Sequence, residues 1–175
     1  MIRMDYLYYQ KKINDVITKC PIEAGIEILV YNLLDENINM DRYSLVDINR
    51  IPKKSDCRLS TEAAVSDMAI LSPDFVFGKE DAGKAYGFVE VKTAGESLRL
   101  TERVLGQMKK THFIYTNGIV WKYYLNQIPK WEKNLGTDKL PYSTVKITID
   151  QKQFEELKQE IKKIEWEHNE INSSI

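Results

Sequence analysis

Asp74, Glu90 and Lys92 bracket a polar stretch, 78–84, that holds two glycines and two lysines. With Ala82 taken as the centre of a chain reversal, Asp74 lies eight residues before it and Glu90 eight after it. In an antiparallel hairpin, positions equidistant from the turn become cross-strand neighbours, with β-carbons about 5 Å apart. Period two then puts Lys92 on the face that carries Glu90. Two opposed carboxylates raise each other's pKa unless a cation lies between them. Lys92 supplies one positive charge, and a divalent ion that prefers carboxylate oxygens, Mg²⁺ above all, would supply the rest. The same trio on a solvated sheet face would do no chemistry, and spacing alone leaves that alternative open.

A different chemistry has to be weighed for the same stretch. "GKEDAGKA", 78–85, falls one residue short of the Gly-x4-Gly-Lys-Ser/Thr loop that cradles nucleotide phosphates. Such a loop needs a helix after it, whose first N–H groups meet the phosphates. Here "AYGFVEV" follows, a strand pattern, and Ala85 stands where the magnesium-binding hydroxyl belongs. A turn between strands is the better reading.

The elements that must position these residues are legible in part. Tyr6, Leu7, Tyr9, Ile13, Val16 and Ile17 show helical spacing up to Pro21, and a second helix carries Ile26, Leu29, Val30, Leu33 and Leu34. "YSLVDI" alternates loosely, and "NRIPKKSDCRLSTEAA" reads as a long polar loop. "AVSDMAILS", "PDFVF" and "AYGFVEV" are strand-like, the last two as a pair. "ESLRLTERVLGQMKK" is helix-forming, with Leu100, Val104 and Met108 four apart. "THFIYTNGIVWKYY" reads as a hairpin with a I′ turn at Asn117-Gly118. "YSTVKITI" is a further strand, and Asp150 is placed to cap a last helix bearing Phe154, Leu157, Ile161, Ile164 and Ile171. This is an α/β (α+β) domain with a mixed sheet.

Bulk properties bound the function. The chain has 175 residues, 43% hydrophobic and 29% charged, with net charge −1 and a pI near 6.2. One domain over 1–175 is the expectation, without the global basic field of a simple nucleic-acid binder. Two cysteines and two histidines build neither a disulfide framework nor a zinc pattern. No signal peptide or membrane span is readable, so a cytoplasmic, reduced setting is expected.

At the level of motif, Pro73-Asp74, a gap and Glu90-Val91-Lys92 resemble the PD-(D/E)xK nuclease signature. The run from "SPDFVFG" through "GFVEVK", "GQMKKTHFIYTNG" and "VWKYY" resembles the N-terminal nuclease domain of type I restriction enzyme R subunits. The similarity spans about residues 20–125, with 142–170 appended. It implies a restriction-endonuclease-like mixed central sheet flanked by helices, in the order α-β-β-β-α-β. It further implies a Mg²⁺-dependent deoxyribonuclease, with Mn²⁺ as a substitute. Asp74 and Glu90 would be metal ligands, with the Val91 carbonyl and a glutamate on the first core helix: Glu23, with Glu27 as the alternative. Lys92 would orient or activate the attacking water, or stabilise charge on the phosphate. Gln107 matches the family glutamine, while Thr111 stands where many relatives have tyrosine. Arg99, Arg103, Gln107 and Lys110, at i, i+4, i+8 and i+11, would form one helical stripe, the basic members gripping a nucleic-acid backbone.

The partner expected is DNA, with any motor or methyltransferase supplied by a separate subunit, since no motor is legible. The C-terminal apolar rhythm is too short for a coiled coil, so packing on the protein's own sheet is expected, with a homodimer left open. A second class of function stands beside the enzyme: a catalytically silent protein of nuclease fold that binds nucleic acid or a partner protein.

Overall fold

The computed structural model describes residues 3–61, 63–108, 111–137 and 146–168. Helix α1 (Tyr6–Lys19) begins where the Asp5 carboxylate accepts the Tyr8 N–H at 2.8 Å, an N-cap that satisfies one orphan donor. Its buried residues, Tyr9, Ile13 and Ile17, recur every four positions and so share one face. Helix α2 (Glu23–Asn37) buries Ile26, Leu29, Val30, Leu33 and Leu34, because α1 and α4 pack on one side of it and the sheet on another. Each such fully buried aliphatic side chain contributes about 1.5–3 kcal/mol relative to exposure. Asp150 caps α4 (Gln151–Lys162) as its sequence position implies, accepting the Gln153 N–H at 2.8 Å.

Six strands follow one another across a single sheet: β1 (Ser44–Asp47), β2 (Met68–Leu71), β3 (Ala85–Val91), β4 (His112–Thr116), β5 (Val120–Leu125) and β6 (Ile128–Asn134). Only β3 and β4 run parallel, joined through the short helix α3 (Glu102–Gln107); every other pair is antiparallel. From α2 to β4 the order is α-β-β-β-α-β, with a hairpin strand pair and α4 added. This is the restriction-endonuclease-like mixed sheet flanked by helices.

Period two sorts the core. Met68, Ile70, Val89, Val91, Ile114, Trp121 and Tyr123 join the cluster beneath α1, α2 and α4. Ala69, Leu71, Phe88, Phe113, Tyr115 and Tyr124 join Leu98, Val104, Met108 and Ile48 on the other side. With both faces covered, β2 and β4 are buried throughout, as central strands must be.

Several expectations are corrected. "PDFVF" is no strand: β2 ends at Leu71, and residues 72–84 form a loop. The loop is held by Arg58, whose guanidinium donates to the carbonyls of Ala82 at 2.7 Å, Gly83 at 3.2 Å and Val76 at 2.7 Å. Gly83 (φ +86°) tolerates no side chain, since a β-carbon there would run into the Phe75 backbone. No helix follows it, which settles the nucleotide-loop question against that reading. The helix expected over 96–110 shrinks to α3, because Thr101 takes the N-cap and accepts the Val104 N–H at 3.3 Å. The β4–β5 turn centres on Gly118-Ile119, with positive φ at Gly118 but not at Ile119; the I′ signature of two positive φ values falls at Asn126-Gln127, between β5 and β6. Strand β6 carries no apolar alternation in the sequence, because most of its side chains are exposed. Of "YSTVKITI", 142–145 lie outside the described residues, as does Ile171, and Ile149 makes only an isolated bridge to Gly136.

Candidate functional site

The parallel pair fixes where chemistry can collect. Outside the carboxyl ends of parallel strands the chain must leave the sheet, and polar groups gather there. At the end of β3, Glu90 is 2% exposed. Its Oε1 accepts from Lys92 Nζ at 2.9 Å and its Oε2 from Gln107 Nε2 at 3.0 Å. Arg103 Nη2 stands 3.9 Å from Oε1. Glu90 and Lys92 therefore do share a face, as period two requires, and Gln107 meets them from α3.

Asp74 does not. The β2–β3 register pairs Met68 with Val89 and Ile70 with Gly87, so the acid brought to Glu90 is the one just before β2. That acid is Asp67. Its N–H donates to the Val89 carbonyl at 3.1 Å, and its Oδ2 accepts the Val91 N–H at 2.7 Å, bracketing residue 90. Asp74 occupies an exposed turn beyond the opposite end of β2. The hairpin estimate failed because residues 72–84 form a long, side-chain-pinned loop instead of a tight turn about Ala82. A signal for Asp67 did exist: it is an acid at the mouth of the apolar run Met68–Leu71, within "AVSDMAILS".

Helix α2 brings the remaining acids. Glu23 and Glu27 are four apart, and both face the site. Each of Glu23, Glu27 and Asp67 offers a carboxylate oxygen, and these lie within 4.8 Å of one another. Glu27 is steadied by Asn49 Nδ2 at 3.1 and 3.2 Å. Burial, reinforced by the Glu90 charge, pushes the Asp67 carboxyl up to about 7, despite the opposing Val91 N–H. Burial also raises Glu23, with Lys92 opposing and Glu27, Glu90 and Glu96 adding to it. Burial alone would lower Lys92. Its hydrogen bond to Glu90, with the charges of Glu90, Glu23 and Asp67, outweighs that and leaves it raised. Negative charge is in excess here, and the donor set is hard oxygen throughout. That combination fits Mg²⁺ or Mn²⁺.

Beside Glu90 and Lys92 opens a cavity of about 470 Å³, walled further by Glu96, Arg99, Arg103 and Tyr115. The expected basic stripe is thus redistributed. Arg99 precedes α3, Arg103 is on it, Gln107 is buried against Glu90, and Lys110 lies outside the described residues. Val91 contributes its N–H to Asp67, with its side chain in the core. Thr111 lies at the far end of β4. The tyrosine that pairs with Glu90 in register is Tyr115, its phenol raised chiefly by burial. Trp121, Tyr123 and Tyr124 are buried core residues. A larger groove of about 510 Å³, between α1 and α2, is lined by Tyr8, Lys12, Asp15, Val16, Cys20 and Ile28 among others and includes none of Glu23, Glu27, Asp67, Glu90 or Lys92. Among the described residues, no helix is long and apolar enough to cross a membrane.

No protein-family model matches the chain, and no curated protein matches it. Among solved structures, the cryo-EM structure of a DrdV–DNA complex contains a chain of the same fold. It superposes with a TM-score of 0.53 on 74% of this chain and 84% of that one, at 12% sequence identity. At that identity the likeness establishes the fold alone.

Proposed function

We propose that the protein is a metal-dependent deoxyribonuclease, with Asp67 in the role the sequence motif gives to Asp74. The observation that carries this reading is geometric: carboxylate oxygens of Glu23, Glu27 and Asp67 lie within 4.8 Å of one another, and Lys92, paired with Glu90 at 2.9 Å, stands in the field of Glu90, Glu23 and Asp67. A carboxyl perturbed by burial together with a specific charge partner, set in a cleft, has the character of a functional group. Asp67, Glu23 and Glu27 would hold the ion, with Glu90 beside them. A bound Mg²⁺ lowers the pKa of water and withdraws charge from a phosphate oxygen.

The chain's own residues supply the rest. Lys92, fixed by Glu90 at 2.9 Å, presents an ammonium group that holds the nucleophilic water or a phosphate oxygen. Gln107 fixes the other Glu90 oxygen and so the rotamer of that acid. Arg99 and Arg103 offer guanidinium groups to phosphates along the cavity. The DNA complex formed by the structural neighbour agrees with a DNA substrate.

The test is incubation of linear, nicked and circular DNA with and without Mg²⁺. Cleavage is expected only with the ion, with losses of about 100-fold or more in Asp67→Asn, Glu90→Gln and Lys92→Ala. Asp74→Ala should cleave like wild type; an inactive Asp74→Ala beside an active Asp67→Asn would return the site to the motif's reading. A second reading has one observation in its favour: both Glu90 oxygens are already engaged, by Lys92 and Gln107. A silent binder of this fold would then take up no Mn²⁺ in calorimetry.

A further inference from the structure

The Thr-Asn-Gly turn stands out in the sequence, yet the proposed hydrolysis gives it no task. Its bonds lead to the cavity wall. The Thr116 carbonyl accepts the Lys92 N–H at 2.8 Å, which anchors the end of β3. Asn117, 2% exposed, accepts the Ile119 and Val120 N–H groups on Oδ1 at 3.0 and 2.8 Å. That leaves Nδ2, which leaves the turn altogether and donates to the Glu96 carbonyl at 2.8 Å. Two residues back, the Tyr115 hydroxyl donates to the Arg99 carbonyl at 3.2 Å.

Residues 93–101 belong to no helix or strand. Their internal main-chain bonds are local, Glu96 to Thr93, Arg99 to Ser97 and Thr101 to Arg99, and do not tie the segment to the sheet. Asn117 and Tyr115 do, by gripping it at both ends of the stretch Glu96–Arg99. This stretch carries Arg99, whose Nε is steadied by Ser97 Oγ at 3.2 Å and which lines the cavity with Glu90 and Lys92.

We infer that Asn117 and Tyr115 are positioning residues: they hold 93–101 against the sheet so that Arg99 stands ready beside Lys92 for a backbone phosphate of duplex DNA. The inference rests on the hydrolase reading and adds to it a part for the turn. Ordering a segment on binding costs affinity that a prefixed wall does not lose, so the two side chains act on substrate binding and not on the chemical step.

Duplex binding is measured in Ca²⁺ for wild type, Tyr115→Phe, Asn117→Asp and Arg99→Gln. Asn117→Asp keeps the oxygen that accepts the two turn N–H groups and removes the donor to Glu96; Tyr115→Phe removes one hydroxyl, adds no charge and keeps the ring packed, so it guards against a folding failure or a charge effect of the first. Asn117→Asp and Tyr115→Phe should each raise Kd about three- to tenfold and reduce the slope of log K against log salt by about one, the loss in kcat/KM falling on KM. In the Arg99→Gln background neither should have further effect, because a residue acting through Arg99 is not additive with its loss. Unchanged Kd, additive losses with Arg99→Gln, or a fall confined to kcat would overturn the inference. Wild-type protein that binds no duplex overturns the hydrolase reading along with it, whereas wild-type binding shared equally by the variants overturns this inference alone.

Discussion

Asp67 is a carboxyl in the wrong environment for a charge, and its effect on stability has a definite sign. An ordinary aspartate loses its proton near pH 3.9; Asp67 in the folded protein keeps it to about 7. Between those values the folded state binds the proton that the unfolded chain releases, so this group makes stability fall as pH climbs from about 4 to about 7. Above that range the penalty is constant. Asp67→Asn removes it while keeping an oxygen for the Val91 N–H. In EDTA at pH 8 this variant should be more stable than wild type by on the order of 2–4 kcal/mol, and the difference should shrink toward zero near pH 4. Urea denaturation of both proteins across this range measures it, and a pH-independent difference would reject the account. A substitution that stabilises the fold while removing cleavage is the pattern of a residue kept for function.

Among the elements, what could be read from the sequence were those whose burial is one-sided or complete. α1, α2 and α4 announce themselves by apolar spacing and by Asp150, and β3 by an uninterrupted strand pattern. Glu90 could be placed because it rides on β3, and Lys92 because it continues that strand's alternation by one residue. Asp67 could not, since its approach to Glu90 depends on the β2–β3 register that the 72–84 loop permits, and Arg99 could not, since it lies in the irregular stretch 93–101. Residues 72–84 have strand-like composition at "PDFVF", but a partly buried side chain elsewhere, Arg58, decides their path. Arg58 pairs with Asp56 through Nε at 3.0 Å and Nη2 at 2.7 Å, and stacks 3.9 Å over the Phe75 ring. The Asp56 side chain is wholly buried, and Arg58 holds its carboxyl below the ordinary carboxylate range. This contribution is complete above about pH 4 and is lost as pH falls through the lowered value. Arg58→Met keeps an apolar stem over Phe75 but strands a buried acid. Tm should drop on the order of 5 °C or more, while Mn²⁺ uptake stays at the wild-type value, because the 72–84 loop lies at the opposite ends of β2 and β3 from Asp67 and Glu90. Loss of Mn²⁺ uptake in a folded Arg58→Met protein would show that the loop and the site are coupled.

At the scale of the whole molecule, a net charge of −1 gives no general attraction to a polyanion. The acids Glu23, Glu27 and Asp67, with Glu90, stand beside the cations expected to hold the backbone, Lys92, Arg99 and Arg103. In EDTA those acids oppose DNA; neutralised, they leave the cations to act. Duplex affinity at low salt is therefore expected to be at least tenfold weaker in EDTA than in Ca²⁺. The same gain should follow without any ion when the acids are neutralised by mutation: Asp67→Asn combined with Glu90→Gln should bind duplex in EDTA nearly as well as wild type does in Ca²⁺, and Ca²⁺ should add little. Fluorescence anisotropy with a labelled duplex, repeated at several salt concentrations, reads both comparisons. A double variant that still needs Ca²⁺ would mean that the ion bridges protein and phosphate directly instead of silencing repulsion. If wild type binds equally in EDTA and in Ca²⁺, the DNA-facing surface lies away from the acids altogether, and the end of β3 is then the wrong place to look for it.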